Sequence, residues 1–268
     1  MAETNELIAR RLDGVLILTF NRPEFLNALT LEMQAKLGNE ISAAELDDDI
    51  GCIVITGAGR AFCSGGDVKN MAKGHATGAP VNHTQRMEMQ RQAQRRTSLR
   101  LTEMAKPTLA SLPGAAAGAG LSLALACDLR IAADTAVMAT GFVKVGLSGD
   151  YGGTYLLTQL VGPAKAREMY LLGDRVDMKE AERLGLVNWV VPPAQLEAKT
   201  MEIAKRLANG PRVAHRLIKD NLNRALKSTF ADCLDMESVN LVQARLTEDH
   251  KEASTAFAEK RTPKFKGR

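Results

Sequence analysis

The stretches Ile53–Met71, IVITGAGRAFCSGGDVKNM, and Leu109–Asp128, LASLPGAAAGAGLSLALACD, repeat one arrangement. Each begins with a short apolar run that predicts a buried strand, passes through a turn of small residues, and continues into a helix. Small residues let backbone N–H groups approach a ligand closely, and the helix N-terminus adds unpaired donors and a positive dipole. Each turn is therefore a candidate anion site.

The rest of the first two thirds follows the same alternation of strand and helix. Helices are predicted at 29–46 and at 162–173, the latter beginning at Pro163 and ending at Gly173. Alternating strands and helices indicate an α/β fold with a largely parallel sheet. Buried strands are predicted at 14–20, 52–57, 107–114, 129–133 and 186–192.

From about Pro193 the pattern changes to four successive helices with apolar stripes. These stripes need a partner, either the main domain or another subunit. We therefore divide the chain into a core at 1–192 and a helical region at 193–268. The Gly-, Ala- and Pro-rich segment from Lys73 to His83 is predicted to be flexible.

Composition narrows the class of protein. The chain has 268 residues, of which 45% are apolar and 25% charged, which is typical of a soluble globular protein. The formal net charge is +4, a mild excess that a phosphate-bearing small molecule would suit. The clearest basic cluster lacks interleaved aromatic residues, so it indicates a solvated helix face and not a nucleic-acid site. Its members are Arg86, Arg91, Arg95, Arg96 and Arg100.

Cysteines, histidines and apolar runs argue against a secreted, a membrane-spanning and a metal-binding protein. The four cysteines lack CxxC spacing and the N-terminus MAETNELIARR lacks an apolar signal core, which favours a reduced, cytoplasmic protein. The longest apolar run, near Leu121 to Ala126, is too short to span a membrane. None of the four histidines has metal-ligand spacing, so no metal site is predicted.

Known loop motifs do not fit the two glycine turns. A Walker loop is absent, and GxGxxG fails because Phe62 and Leu123 stand at the third glycine position. There is no GxSxG elbow, and no histidine lies in a motif that would activate Ser64 or Cys63. The remaining use is an oxyanion hole formed by one N–H group from each turn.

Three longer blocks resemble the crotonase (enoyl-CoA hydratase/isomerase) superfamily. They are GAGRAFCSGGDVKNM, KPTLASLPGAAAGAGLSLALACDLRIAADTAVM and GGTYLLTQLVGPAKAREMYLLGDRVDMKEAERLGLVNWVVP. The similarity extends from LTFNRPEFLNAL to AFAEKRTPKF, nearly the whole chain. It implies a spiral of ββα units with a C-terminal helical trimerisation region, assembled as a homotrimer or a dimer of trimers. It also implies an acyl-CoA substrate, with coenzyme A as part of that substrate and no permanently bound cofactor.

The resemblance implies roles for particular residues. The two oxyanion N–H groups would belong to Gly66 and Ala119, where glycine is usual at the second position. Other positions would contact the substrate or its coenzyme A, commonly from a neighbouring subunit for the last two: Asn27, Ala28, Leu29, Ala61, Gly65, Asp67, Val68, Gly118, Phe257 and Lys260.

Structural roles remain open for several of these positions. Asp67 could instead cap the following helix, and Gly65 could serve the turn alone. Lys260 could be a solvated charge. Cys63 and Cys127 are most simply buried small apolar side chains.

The sequence departs from the hydratases at both of their catalytic glutamates. Ser122 and Phe142 stand at those positions, which argues against efficient water addition. Asp150 stands where several isomerases of the superfamily carry their acid/base, and where an aromatic acyl-CoA dehalogenase carries its nucleophile. Phe142 and Tyr151 would flank it and raise its pKa by desolvation. The alternative for Asp150 is an N-cap of the helix beginning near Gly152.

These residues predict an enoyl-CoA double-bond isomerase in which Asp150 shuttles a proton. Three alternatives stay open: a weak hydratase that uses Ser122 and a held water, a hydrolase in which Asp150 attacks the thioester, and a non-catalytic acyl-CoA binding subunit. The acyl pocket is expected in the Lys73 to Met104 region, where methionines suggest an adaptable wall without specifying the acyl group. These are Met87, Met89 and Met104.

Overall fold

The computed structural model describes residues 5–68, 72 and 82–268, and within them the strands form two sheets. The larger sheet contains, in order across it, β1 (Leu7–Leu12), β2 (Val15–Phe20), β3 (Cys52–Gly57), β5 (Thr108–Leu112), β7 (Leu129–Ala133) and β10 (Trp189–Val191). Its strands are parallel except that β1 is antiparallel to β2. The smaller sheet contains β4 (Ala61–Cys63), β6 (Ala115–Ala117), β8 (Val137–Ala139) and β9 (Val176–Asp177).

Helices connect and follow these strands. One of them, Gly153–Leu172, is interrupted at Gly162, whose φ of 76° and ψ of 164° are not helical, and Pro163 begins its second segment. The helices of the described residues are α1 (Leu31–Leu46), α2 (His83–Gln94), α3 (Arg100–Glu103), α4 (Ala119–Ala126), α5 (Gly153–Leu172), α6 (Met178–Arg183), α7 (Pro193–Ala208), α8 (Arg212–Ala225), α9 (Phe230–Arg245) and α10 (Glu248–Ala258).

Both faces of the central strands of the larger sheet are buried, which explains the continuous apolar runs in those strands. In β3, Ile53 and Ile55 join the apolar cluster that includes α1, while Cys52 and Val54 join a second cluster. That second cluster is completed by residues of α7. The first helix after the predicted boundary at residue 192 therefore packs on the core sheet; the boundary itself stays a prediction.

The predicted α/β architecture with a mainly parallel sheet and C-terminal helices is confirmed. Local patterns in the sequence did not predict β1 or the strands of the smaller sheet, which have six residues or fewer. The prediction of burial over 186–192 was wrong for β10, which lies at an edge of the larger sheet and is only half-buried, whereas Leu186 and Val187 before it are buried as predicted.

The helical region exposes many apolar side chains. Helix α9 packs against α8, and α10 contacts α9. The predicted trimerisation of this region stays a prediction. No helix of the described residues is long and apolar enough to cross a membrane. The exposed apolar residues of α8, α9 and the turns after them include Leu222, Leu226, Phe230, Leu234, Leu241, Val242 and Leu246.

Three predictions concern the segment before β5. All five arginines of the basic cluster are exposed, which confirms a solvated surface, and a turn of π-helix at Arg95–Leu99 joins α2 to α3. Of the segment predicted to be flexible, residues 73–81 lie outside the described part of the chain. The methionines of the predicted acyl pocket separate, because Met104 is buried in the core whereas Met87 and Met89 are exposed on α2.

Candidate active site

The two glycine turns lie side by side because β4 and β6 are neighbours in the smaller sheet. Ala61 pairs with Ala115, and Cys63 pairs with Ala116. A Cβ atom built on Gly65 would lie 3.0 Å from the carbonyl oxygen of Ala117. With a φ of +97°, Gly65 also adopts a backbone conformation that other residues rarely take. Turns that are more than fifty residues apart in sequence thus meet backbone to backbone.

Two N–H groups of these turns have the properties of oxyanion donors. Within the described residues the Gly66 N–H donates to no protein acceptor, although its neighbour Gly65 accepts a hydrogen bond from the Leu29 N–H at 2.8 Å. Ala119 is the first residue of α4, a position whose N–H has no partner inside the helix. The Cβ built on Gly65 would lie 3.4 Å from the Ala119 nitrogen. Both donors therefore belong to the one place where the turns meet.

Asn27 fastens the chain before α1 to the first glycine turn. Its side-chain amide donates to the carbonyl oxygens of Ala58, at 2.9 Å, and Ala61, at 2.8 Å, and its Oδ1 accepts the Arg22 N–H at 2.9 Å. The side chain is fully buried. Both amide N–H groups of Asn27 are therefore committed to the backbone, and the side chain holds the predicted coenzyme segment, which includes Ala28, against the first glycine turn.

Asp67 lies in an ion-pair network that the sequence did not reveal. Both terminal nitrogens of Arg22 lie 3.3 Å from Asp67 Oδ2, and Arg22 Nε lies 3.0 Å from Glu6 Oε1. The same guanidinium donates to the Ala28 carbonyl oxygen at 2.7 Å and lies over the ring of Phe25. Arg22 thus ties the predicted coenzyme segment to the first glycine turn. No local pattern pairs residues 22 and 67, so only the fold could reveal this contact.

The remaining predicted contacts with coenzyme A fall into three groups. Ala61 and Leu29 are buried, so they support the turn from inside. Val68 is exposed beside Asp67. Phe257 is 88% exposed on α10, and Lys260 is exposed just after it. Their predicted contact with coenzyme A stays a prediction.

Asp150 is the unusual carboxylate of this region. It lies between Gly149 and Tyr151 in the loop before α5, and its Oδ1 is buried without a hydrogen-bond partner within the described residues. Burial raises the pKa of the Asp150 carboxyl to about 6. The alternative role as an N-cap is wrong, because Gly152 occupies the N-cap position and no side chain caps α5.

Tyr151 fixes the backbone next to Asp150. Its N–H donates to Gln94 Oε1 at 2.9 Å, and its hydroxyl donates to Gln34 Oε1 at 2.7 Å. Its φ of +49° is rare for a residue with a side chain, and the ring is 2% exposed. Tyr151 therefore belongs to the core beneath Asp150. The two glutamines were missed because they come from α1 and α2, far away in sequence.

The two positions at which hydratases carry glutamate lie close to a residue that sequence reasoning missed, Tyr170 of α5. The ring of Phe142 stacks on that of Tyr170, with centroids 6.0 Å apart and planes 1° apart. Ser122 is buried, and its hydroxyl donates to the Gly118 carbonyl oxygen at 3.3 Å. A Cβ built on Gly153 would lie 2.2 Å from Ser122 Oγ and 2.5 Å from the Tyr170 hydroxyl oxygen. Both hydroxyl groups thus converge at the start of α5.

Electrostatics link this group of residues to Asp150. Burial raises the pKa of Tyr170 to about 12; the negative charge of Asp150 adds to the rise, and the Ser122 hydroxyl opposes it. Burial also raises the pKa of the Cys63 thiol to about 12, again with a contribution from Asp150. A thiol that stays protonated is a poor nucleophile, which agrees with the lack of a histidine motif that would activate Cys63. Cys63 and Cys127 are buried, as predicted.

The structure therefore brings together Gly66, Ala119, Ser122, Phe142 and Asp150, with Tyr170 added. The described residues contain no cluster of three or more His, Cys, Asp or Glu side chains that could hold a metal ion. What remains is a pair of backbone donors, one partly desolvated carboxylate and the stacked rings of Phe142 and Tyr170. This combination can polarise a carbonyl group and move a proton next to it.

Comparisons with known proteins agree with this arrangement. The family model of enoyl-CoA hydratase/isomerase matches residues 10–268. The 1,2-epoxyphenylacetyl-CoA isomerase of Escherichia coli (strain K12) is 37% identical over 95% of this chain and 96% of its own length. The short-chain-enoyl-CoA hydratase of Clostridium acetobutylicum is 33% identical over 97% of both chains. The crystal structure of an enoyl-CoA hydratase from Bacillus anthracis covers 98% of this chain and 100% of its own, with a TM-score of 0.90 and 31% identity.

A family match over nearly the whole chain, together with relatives above 30% identity, settles the class of protein. The chain belongs to the enoyl-CoA hydratase/isomerase family of the crotonase superfamily, as the sequence blocks indicated. The names of its relatives include both isomerase and hydratase, so family membership leaves the reaction open.

Proposed function

We propose that the protein is an enoyl-CoA isomerase that moves a double bond of an acyl-CoA thioester, with Asp150 as the single acid/base and the N–H groups of Gly66 and Ala119 as oxyanion donors. The observation that carries the proposal is the half-buried Asp150 carboxylate, whose Oδ1 is buried and has no hydrogen-bond partner among the described residues. Burying a carboxylate oxygen without a hydrogen bond destabilises the folded protein, so a carboxylate in this state indicates a catalytic role.

The reaction starts from a 3-enoyl thioester. Asp150 takes a proton from C2, and the electrons of the C–H bond form a C1–C2 double bond while the thioester oxygen becomes negative. The two N–H donors stabilise that oxygen, each by about 3 kcal/mol in comparable sites. When the carbonyl reforms, the electrons shift to make the C2–C3 double bond, and C4 takes the proton back from Asp150. Atoms and charge balance without a water molecule.

The environment of Asp150 suits both halves of this cycle. Because burial raises its pKa to about 6, the carboxyl is mostly ionised near neutral pH and ready to accept a proton. The same burial makes it a better base than an exposed aspartate. A pKa near neutral also suits the second half of the cycle, in which the protonated Asp150 carboxyl returns the proton to C4.

The positions of Ser122 and Phe142 support isomerisation over hydration. Efficient hydratases of the superfamily use two glutamates to position and activate water, as the resemblance of the sequence to that superfamily implies. Here those positions hold a hydroxyl and a phenyl ring stacked on Tyr170. Asp150 would have to do alone what two carboxylates share in a hydratase, whereas double-bond migration needs one base.

The test is a paired assay of the wild type and Asp150→Asn with a 3-enoyl-CoA and a 2-enoyl-CoA. We expect the wild type to move the double bond of the first substrate, and the variant to lose this activity while hydration stays low in both. Asp174→Asn is the matched control, because its carboxylate is largely exposed. Full isomerase activity in Asp150→Asn would refute the assignment.

The paired assay, together with a rapid-quench and a binding measurement, separates the alternatives. An acyl group trapped on Asp150 by rapid quench would indicate a hydrolase. Strong hydration of the 2-enoyl-CoA by the wild type would indicate a hydratase. Binding of acyl-CoA without turnover of any thioester would indicate a binding subunit.

A further inference from the structure

Tyr170 covers the backbone that carries Asp150. It lies on the second segment of α5, after the break at Gly162. A Cβ built on Gly149 would lie 3.2 Å from Tyr170 Cε1 and 3.8 Å from its hydroxyl oxygen. The Tyr170 ring therefore lies directly against the residue that precedes Asp150.

The other side of the ring completes a wall. Phe142 stacks on Tyr170 with parallel planes, and Phe142 Cε1 lies 3.8 Å from a Cβ built on Gly118, at the second glycine turn. The Tyr170 hydroxyl reaches the space beside Ser122 and Gly153. Phe142 and Tyr170, which we call the aromatic wall, thus extend from the oxyanion turn to the Asp150 loop.

We propose that Tyr170 is a specificity-determining residue that closes the Ser122 side of Asp150 against water, so that the proton taken from the substrate returns to the substrate. This inference rests on the proposed function. It concerns the volume of the ring and not its hydroxyl.

The chemistry of a single base makes such a wall useful. Between the two proton transfers, Asp150 carries the substrate proton, and any water in contact with the carboxyl can exchange it. Water in the same place could also attack C3 of the product, where the oxyanion hole has polarised the double bond. A ring packed on Gly149 and Phe142 occupies space that a water molecule would need for either reaction.

The test uses a 3-enoyl-CoA labelled with deuterium at C2, turned over in ordinary water. The fraction of label that appears at C4 of the product measures return of the proton without exchange. We expect Tyr170→Val to lower this fraction several-fold and to increase hydration of the product. Tyr170→Phe keeps the ring and should match the wild type. The control is Tyr155→Val, an exposed tyrosine of the same helix.

An unchanged label fraction in Tyr170→Val, or an equal loss in Tyr170→Phe, would overturn the inference. Tyr170→Leu replaces Tyr170→Val if the smaller side chain prevents folding, which circular dichroism would show. A role in packing alone would lower the yield or the melting temperature without changing where the label goes.

Failure of the proposed function can be told apart from failure of this inference. If the wild type does not move double bonds, exchange of the C2 protons of a saturated acyl-CoA with deuterium oxide still reports on Asp150. Tyr170→Val should then exchange these protons several-fold faster than the wild type, and Tyr170→Phe should not. Equal exchange rates in all three proteins would count against the wall.

Discussion

Asp67 and Asp150 each directly follow a glycine, Gly66 and Gly149, yet the fold surrounds the two carboxylates in opposite ways. Asp67 lies against the guanidinium of Arg22, which also reaches Glu6 and the Ala28 carbonyl oxygen. Asp150 has a buried Oδ1 without a hydrogen-bond partner within the described residues, and burial raises its pKa to about 6. A paired carboxylate stabilises a loop, whereas a desolvated one without a hydrogen bond stores free energy that proton transfer can use.

The largest expected contrast is in activity after the same substitution at both sites. Asp150→Asn should lower kcat for isomerisation about 10³-fold, because the general base is lost. Asp67→Asn removes only a charge from the Arg22 network. We expect KM to change by less than about tenfold and kcat to stay nearly unchanged, because the bound substrate and the transition state lose the same binding energy. Steady-state kinetics with a 3-enoyl-CoA measures both. Comparable losses of kcat at the two sites would contradict the distinction.

The next effect concerns the turn that supplies one oxyanion donor. Gly65→Ala places a methyl group 3.0 Å from the Ala117 carbonyl oxygen at a φ of +97°, which should displace the turn. Loss of a well-placed oxyanion donor lowers kcat about 10²-fold. Gly185→Ala is the control, because this glycine also has a positive φ, +73°, but no atom within 4 Å of its Cβ position. An active Gly65→Ala variant would show that the turn does not set the donor.

The pH profile sharpens the contrast further. Because Asp150 must be ionised to accept a proton, kcat/KM should fall about tenfold per pH unit below its pKa of about 6 and level off above it. Asp67→Asn should leave the position of this bend unchanged. A bend near pH 4 in the wild type would mean that Asp150 behaves as an exposed carboxyl, and the argument from burial would then be wrong.

The two substitutions should change the free energy of unfolding in opposite directions, and these are the smallest of the expected effects. The folded pKa of Asp150 is raised, so the ionised carboxylate destabilises the fold above pH 6, and this cost disappears as the pH falls toward 3.8. At pH 8, Asp150→Asn should therefore increase the free energy of unfolding by about 1–3 kcal/mol. Asp67→Asn should decrease it by about 1–2 kcal/mol, because a charged hydrogen bond is weakened.

Urea unfolding at pH 8 and pH 4 checks both stability changes. The gain in Asp150→Asn should be present at pH 8 and largely absent at pH 4. A destabilised Asp150→Asn variant at pH 8 would show that the carboxylate has favourable contacts in solution.

Local patterns in the sequence were enough to predict the longer strands and helices around the site, but not the short strands that place the two glycine turns side by side. The runs at 52–57 and 129–133 are strands as predicted, and the segment at 162–173 has Pro163 and Gly173 at the expected ends. Strand and helix signals are short-range, since they depend on periodicity and on the backbone preferences of glycine and proline. The strands of two or three residues in the smaller sheet carry too little pattern to be seen this way.

The sequence by itself determined the two glycine turns, the absence of glutamate at positions 122 and 142, and the presence of a carboxylate at position 150. Only the tertiary structure decided what surrounds these groups. Arg22 meets Asp67 across 45 residues, and Tyr151 meets Gln34 across 117, because the fold brings these distant segments together. Residue type sets what a side chain can do, whereas burial and partners set its pKa, and these arise from contacts between distant parts of the chain.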